Sequence, residues 1–224
     1  GRYIEALRSS SPESFFTLVT DPAHDVFPQV LQRIFVCFEG VKRGWVEGCR
    51  RVLCVDGYFL KTFLGALLLA AVGRDANEQM YPLCWAVVEG ETNASWAWFF
   101  AKMRKVLHDT DGTNMSLIFD EARAIINGVA SVFPKAEHRH CARHVFAHWH
   151  SVFKGDEMKA LFWKAAKAYN QTDYEDALAD IEKVSPAAVD AFQSYNPSCF
   201  CRAFIRKDTK CDVIVNNMAE TFNG

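Results

Sequence analysis

Long apolar runs are missing from this sequence. No stretch of the 224 residues approaches the roughly 18 to 20 apolar positions that span a bilayer, so no membrane-crossing helix is expected. An excess of either charge is missing too: 25 Lys and Arg stand against 27 Asp and Glu, a formal net charge of −2. A module that holds nucleic acid by bulk electrostatics is usually basic. If this protein touches DNA, its positive charge must be local, or lie on other parts of a longer chain. Internal repeats and low-complexity tracts are absent as well. With 50% hydrophobic, 13% aromatic and 23% charged residues, the composition shows none of the depletion that marks disorder. The length allows one large domain or two small ones.

Eight cysteines are present. Several sit inside apolar runs such as Arg51-Val-Leu-Cys-Val and Met80-Tyr-Pro-Leu-Cys-Trp, where a reduced cysteine behaves as a small buried hydrophobe. No signal-peptide pattern opens the sequence, so Asn-x-Ser/Thr matches at Asn93, Asn114 and Asn170 carry little weight. The expectation is a reduced, intracellular protein. Both ends look cut, and the expectation is a fragment of something longer.

Residues 1–30 carry Ser9-Ser-Ser-Pro12, Asp21-Pro22 and Pro28, and read as a lead-in of loop with short helical pieces. Leu31 to Phe38 reads as a strand, followed by turns at Glu39-Gly40 and Arg43-Gly44. Three apolar runs, Arg51 to Phe59, Leu64 to Val72 and Met80 to Val88, are joined by short links that favour an antiparallel meander. The period then changes. Ser95 to Leu107 has helical spacing, Asp109 to Thr113 is a turn, Met115 to Phe119 is a short strand, and Ala122 to Phe133 is a helix. Ala136 to Cys141 reads as a further strand, with a helix from about Ala142. Met158 to Tyr169, Asp173 to Val184 and Pro186 to Tyr195 are helical and alanine-rich. This order predicts an α/β core over 31–155 with a mixed sheet, then a mostly helical block over 156–212, then the start of a helix over 213–224.

Two acids are oddly placed. Asp56 interrupts an apolar strand, where an unpaired carboxylate is costly; alternatively it marks a strand end, with Gly57 opening a turn. Asp120 repeats the arrangement at the carboxyl end of Ser116-Leu-Ile-Phe119. Residues at neighbouring strand ends converge in one cleft, and adjacent carboxylates repel unless divalent cations lie between them. Two Mg²⁺ held by such acids can activate a water or a 3′-hydroxyl and stabilise a leaving oxygen in phosphoryl transfer. Hard oxygen ligands suit Mg²⁺ or Mn²⁺ better than zinc. Glu220, in Asn216-Asn-Met-Ala-Glu-Thr-Phe-Asn223, is the candidate third acid.

Several short motifs occur in a fixed order. They are Arg33-Ile-Phe-Val-Cys-Phe, Gly48-Cys-Arg, Val55-Asp-Gly-Tyr-Phe-Leu-Lys61, Ala71-Val-Gly-Arg-Asp-Ala-Asn77, Tyr81-Pro-Leu-Cys-Trp-Ala-Val-Val-Glu89 and Ser95-Trp-Ala-Trp-Phe99. Val132-Phe-Pro-Lys-Ala-Glu-His-Arg139, Cys141-Ala-Arg-His144 and the Asn216–Asn223 motif follow. In this order they resemble the catalytic domain of the Mutator-like (MULE) DNA transposases of plants, over almost the whole chain. The resemblance implies an RNase H-like fold with a helical insertion before the last acid, and an Asp-Asp-Glu triad of Asp56, Asp120 and Glu220. The intervals of 64 and 100 residues between these acids leave room for that insertion. It further implies a two-metal site for Mg²⁺ or Mn²⁺, cleavage at transposon ends with joining to target DNA, and work in the nucleus. A homo-oligomer is compatible with it.

The densest His/Cys cluster is His138-Arg-His-Cys-Ala-Arg-His144-Val-Phe-Ala-His148-Trp-His150. Cys141, His144 and His148 share a helical face that could meet zinc. The opposing view is that Cys141-x-x-His144 packs structurally beneath the acids. The resemblance supports the second view, because such transposases carry a Cys-x-x-His signature here, and zinc is not expected. Arg143 and Lys61 are candidate DNA contacts. Lys102, Arg104 and Lys105 form an ordinary solvated helix face, and Trp96, Trp98, Phe99 and Phe100 read as core.

The sequence also departs from the family. Glu121 follows the second acid directly, where relatives have a basic Ser-Asp-Arg-Gln-Lys-Gly-like stretch, and His148 stands where they often have Asn. A negative neighbour weakens phosphate approach. The expectation is therefore a transposase core, as a fragment or degenerate copy. The alternative is a catalytically silent, transposase-derived DNA-binding or transcriptional regulator.

Overall fold

The computed structural model describes residues 2–21, 30–61, 65–108 and 111–223. The order is α1 (Arg2–Ser10), β1 (Phe15–Thr20), β2 (Leu31–Cys37), α2 (Glu39–Gly48), β3 (Cys49–Phe59), β4 (Leu67–Asp75) and β5 (Met80–Val88). Then come α3 (Asn93–Leu107), β6 (Ser116–Phe119), α4 (Arg123–Val132), β7 (Glu137–His140) and α5 (Ala142–Val152). A helical block of α6 (Asp156–Ala166), α7 (Gln171–Val184) and α8 (Pro186–Ser194) precedes three short 3₁₀ turns, and α9 (Asn217–Asn223) closes the described chain.

The strands form one mixed sheet in the order β1-β2-β5-β4-β3-β6-β7. β3, β4 and β5 make the antiparallel meander expected from their short links, while β6 and β7 join parallel to β3 and to each other. β3 reads as continuously apolar because it is central: Val52, Leu53, Cys54 and Val55 are all buried, alternating between two covered faces. Pro82 interrupts β5 at no cost to β2, which pairs only over Ile34–Val36 against Trp85–Val87. The ladder to β4 shifts register at Ala71/Val72, where Pro82 has no N–H to give.

On one face, α2, α3 and α4 cover Leu53, Val55, Leu69, Leu117 and Phe119. A capping box between Thr92 and Ser95 starts α3, and His108 in the left-handed region ends it. Trp96, Phe99, Phe100 and Met103 then point into the sheet. Helices α3 and α4 approach so closely that a Cβ on Gly128 would sit 3.0 Å from Phe100 and 3.1 Å from Trp96. On the opposite face, Val52, Cys54, Ala70, Val72 and Ile118 meet Ala219 of α9 and the segment leading to it. The helical block has its own core around Phe162, Phe192 and Phe200, and α5 packs into that core through Ala142, Val145 and Trp149. Arg139 ties this block to the sheet. It is buried on β7 and donates to Glu137 Oε1 at 3.0 Å and to the Cys201 carbonyl at 2.8 Å.

Two local expectations are corrected. The lead-in is more ordered than its prolines and serines suggest: α1 and β1 lie within it, and β1 pairs antiparallel with β2 to form the sheet edge. The 39–44 stretch is not a pair of turns but helix α2, whose Trp45 is buried against the meander. Glycines there signal a turn only when nothing anchors the helix, and Trp45 supplies the anchor. The expected strand start at Leu64, the Pro22 and Pro28 positions and the first two residues of the Asp109 turn lie outside the described residues. Among the described residues no helix is long and apolar enough to cross a membrane, and all eight cysteines are free.

Candidate active site

The register of the parallel pair brings the two strand acids level. Cys54 on β3 is matched with Ile118 on β6, and Asp56 and Asp120 each follow two residues later. Side chains two apart on a strand share a face. Cys54 and Ile118 both belong to the face covered by α9, so both aspartates project toward that helix. The carboxyl ends of two parallel strands thus present two acids side by side.

Asn216 delivers the third acid. Its side-chain amide donates to the Val55 carbonyl at 3.0 Å, and its backbone N–H donates to Cys141 Sγ at 3.2 Å. These bonds pin the start of α9 between β3 and α5, and Glu220 follows one turn later. Asn223, one further turn along, donates from Nδ2 to Asp56 Oδ2 at 2.9 Å. Glu220 itself accepts from Arg143 Nη1 at 2.8 Å through Oε2.

The electrostatics carry the mark of crowded acids. Burial pushes the Asp56 carboxyl up, and the charges of Asp120 and Glu220 push it further, while Asn223 and a backbone bond at Gly57 oppose the rise. Glu220 Oε1 and Asn223 Oδ1 are buried without a hydrogen-bond partner among the described residues. Glu220 Oε1 lies 3.8 Å from His144 Nε2, an ion-pair distance but not a hydrogen bond. Unsatisfied oxygens beside mutually repelling carboxylates could hold a hard cation.

The Cys-x-x-His pair lies beside Glu220. Cys141 precedes α5 and His144 lies in its first turn. The interaction of His144 with Cys141, as donor to the sulfur, outweighs burial and lifts the imidazole to about 9, with Glu220 and Asp120 adding to the rise. Burial pushes the Cys141 thiol up, but His144 and the Asn216 amide prevail and hold it below its usual value. Among the described residues, one group of three metal-capable donors lies within 4.8 Å of one another: Cys141, His144 and Glu220. The shared helical face of Cys141, His144 and His148 does not converge. His144 turns to Glu220, whereas His148 lies 3.7 Å from Glu121.

The Glu121 carboxylate lies 3.2 Å from His140 Nδ1 and 3.7 Å from His148 Nδ1. Of the two candidate DNA contacts, Arg143 reaches the site and Lys61 stands exposed beyond the end of β3. Sequence reasoning assigned no role to Asn216 or Asn223. Their spacing held the signal: positions 216, 220 and 223 fall on one helical face.

Residues 52–148 match the family model described as the MULE transposase domain. The match supports a Mutator-like transposase domain over this stretch. The match runs from β3 into α5 and includes Asp56, Asp120, Cys141 and His144; Glu220 lies beyond it. No curated protein matches the chain.

Proposed function

We propose that this chain is the catalytic core of a metal-dependent DNA transposase, built on an RNase H-like sheet, with Asp56, Asp120 and Glu220 as its acids. The observation that carries the proposal is the level placement of Asp56 and Asp120 on adjacent parallel strands, under the helix that bears Glu220. The five strands β5-β4-β3-β6-β7, three antiparallel and then two parallel, support the RNase H-like assignment. The helical block before α9 corresponds to the insertion.

The donor set fits Mg²⁺ or Mn²⁺. The acids offer hard oxygens, and their mutual repulsion is the kind a divalent cation removes. When bound, a metal pair would activate a water or a 3′-hydroxyl and stabilise the leaving oxygen at a phosphodiester. The chain's own residues prepare the site. Asp56 and Asp120 supply ligands from the sheet and Glu220 from α9. Asn223 orients the Asp56 carboxylate through its 2.9 Å bond. Arg143 balances Glu220, and Cys141 with Asn216 locks α9 against the strand. The substrates are transposon ends and target DNA, and the work takes place in the nucleus.

The test is nicking of supercoiled DNA by the purified protein with Mg²⁺ or Mn²⁺, beside Asp56→Ala. Metal-dependent nicking that the substitution abolishes supports the proposal. Nicking that is absent, or indifferent to Asp56, would favour a DNA-binding protein without turnover.

A further inference from the structure

Cations are unevenly placed on a chain whose formal charge is −2. A groove of about 600 Å³ runs between α6, the first turn of α5 and the segment 212–217 that leads into α9. Five cations line it, Arg74, Arg143, Lys159, Lys167 and Arg202, against two acids, Glu78 and Asp212. A second groove of about 490 Å³ shares Arg202, Glu78 and Asp212 with the first and adds Arg50, Arg206, Lys207 and Lys210. Nine of the chain's 25 basic residues therefore follow one continuous path.

The acids along that path are already engaged. Glu78 accepts from Arg50 and Arg74, and Asp212 lies 3.6 Å from Arg202. Arg206 is paired with the neighbouring Asp208. Lys159 and Lys167 are exposed, and among the described residues neither is ion-paired; Lys167 lies over the Trp163 ring at 5.2 Å. A strip of like charge raises the energy of the folded chain unless a counter-charge lies along it. One end of the strip is Arg143, which touches Glu220, so the groove opens beside the acids.

We infer that this two-part groove holds the phosphate backbone of DNA leading away from the acidic site, without regard to base sequence. The inference rests on the proposed function for the identity of the polyanion, and on the charge distribution for its place. It also assigns a role to the helical block. That block supplies one wall through Lys159 and Lys167, and the sheet supplies the other through Arg50 and Arg74.

The experiment is binding of a random-sequence DNA duplex to the whole chain, followed by fluorescence anisotropy across a salt series. Each phosphate contact contributes about 0.9 to the slope of log affinity against log salt. The double variant Lys159→Ala/Lys167→Ala is expected to reduce the slope by about 2, and Lys159→Arg/Lys167→Arg to retain it. Lys102→Ala/Lys105→Ala, on α3 at the opposite face of the sheet, is expected to leave it unchanged. No duplex binding, an unchanged slope in Lys159→Ala/Lys167→Ala, or an equal loss in the α3 variant overturns the inference. Asp56-dependent nicking with an unchanged slope rejects the groove and leaves the acids. Loss of slope in a protein that never nicks rejects the acids and leaves the groove.

Discussion

Asn223 donates a 2.9 Å hydrogen bond to Asp56 across 167 residues of sequence. Together with the bond from Asn216 to the Val55 carbonyl, this contact closes α9 onto β3, and it holds a carboxylate whose charge burial disfavours. Asn223→Ala is expected to cost about 1 kcal/mol in urea denaturation, the usual worth of such a bond. Nicking should fall about tenfold, a barrier change of about 1.4 kcal/mol, because Asp56 loses its orientation. A variant of unchanged stability and rate would show that the contact positions nothing.

Arg143 and metal should compete for Glu220. The Arg143–Glu220 pair is partly exposed, and such pairs contribute at most about 1 kcal/mol. Arg143→Ala should thus leave stability nearly unchanged. It should nevertheless lower the Mn²⁺ concentration needed for half-saturation, since a cation is removed from a ligand. Weaker Mn²⁺ binding in the variant would show that Arg143 orients Glu220 rather than neutralising it.

Arg139 is the most deeply buried charge described, and its loss should be severe. Removing one member of a buried ion pair costs about 3–5 kcal/mol, because the other is left uncompensated. Arg139→Ala removes the counter-charge of Glu137, which keeps only the Ser116 hydroxyl and the Arg206 amide, and frees the Cys201 carbonyl. Urea denaturation should reveal this cost, with proteolysis beginning in the helical block. A loss below about 1 kcal/mol would mean that the block is not pinned there.

The meander is legible as three apolar runs with short links and the helical block by its helical period of apolar residues, while β7, Glu137-His-Arg-His140, carries no apolar signal of its own. The 39–44 stretch was not legible, since Gly40 and Gly44 imitate turns and only tertiary packing of Trp45 reveals the helix. Asp56 and Asp120 were legible as carboxylates in apolar strands. Their level placement was not, because register between strands 64 residues apart is a property of the fold. Glu121 is legible as an extra acid beside Asp120; its contacts with His140 and His148 are visible only in three dimensions.

His138 should make the protein acid-sensitive. Burial pushes its imidazole below the usual value of 6.5, so the folded state holds it neutral beside Phe119. A depressed pKa contributes stability that is present above 6.5 and is lost as pH falls toward the folded value. Thermal unfolding between pH 7.5 and pH 5 should show a declining midpoint. His138→Phe should flatten that decline, whatever its effect at neutral pH. An equal decline in the variant would assign the acid sensitivity to another group.

The account stands or falls on whether the acids hold metal. Mn²⁺ binding followed by electron paramagnetic resonance measures this without any need for turnover. The account predicts saturable binding by the unaltered chain, lost or weakened at least tenfold in Asp56→Asn and in Asp120→Asn, and retained in Lys102→Ala. Mn²⁺ bound equally well by Asp56→Asn and Asp120→Asn would contradict it.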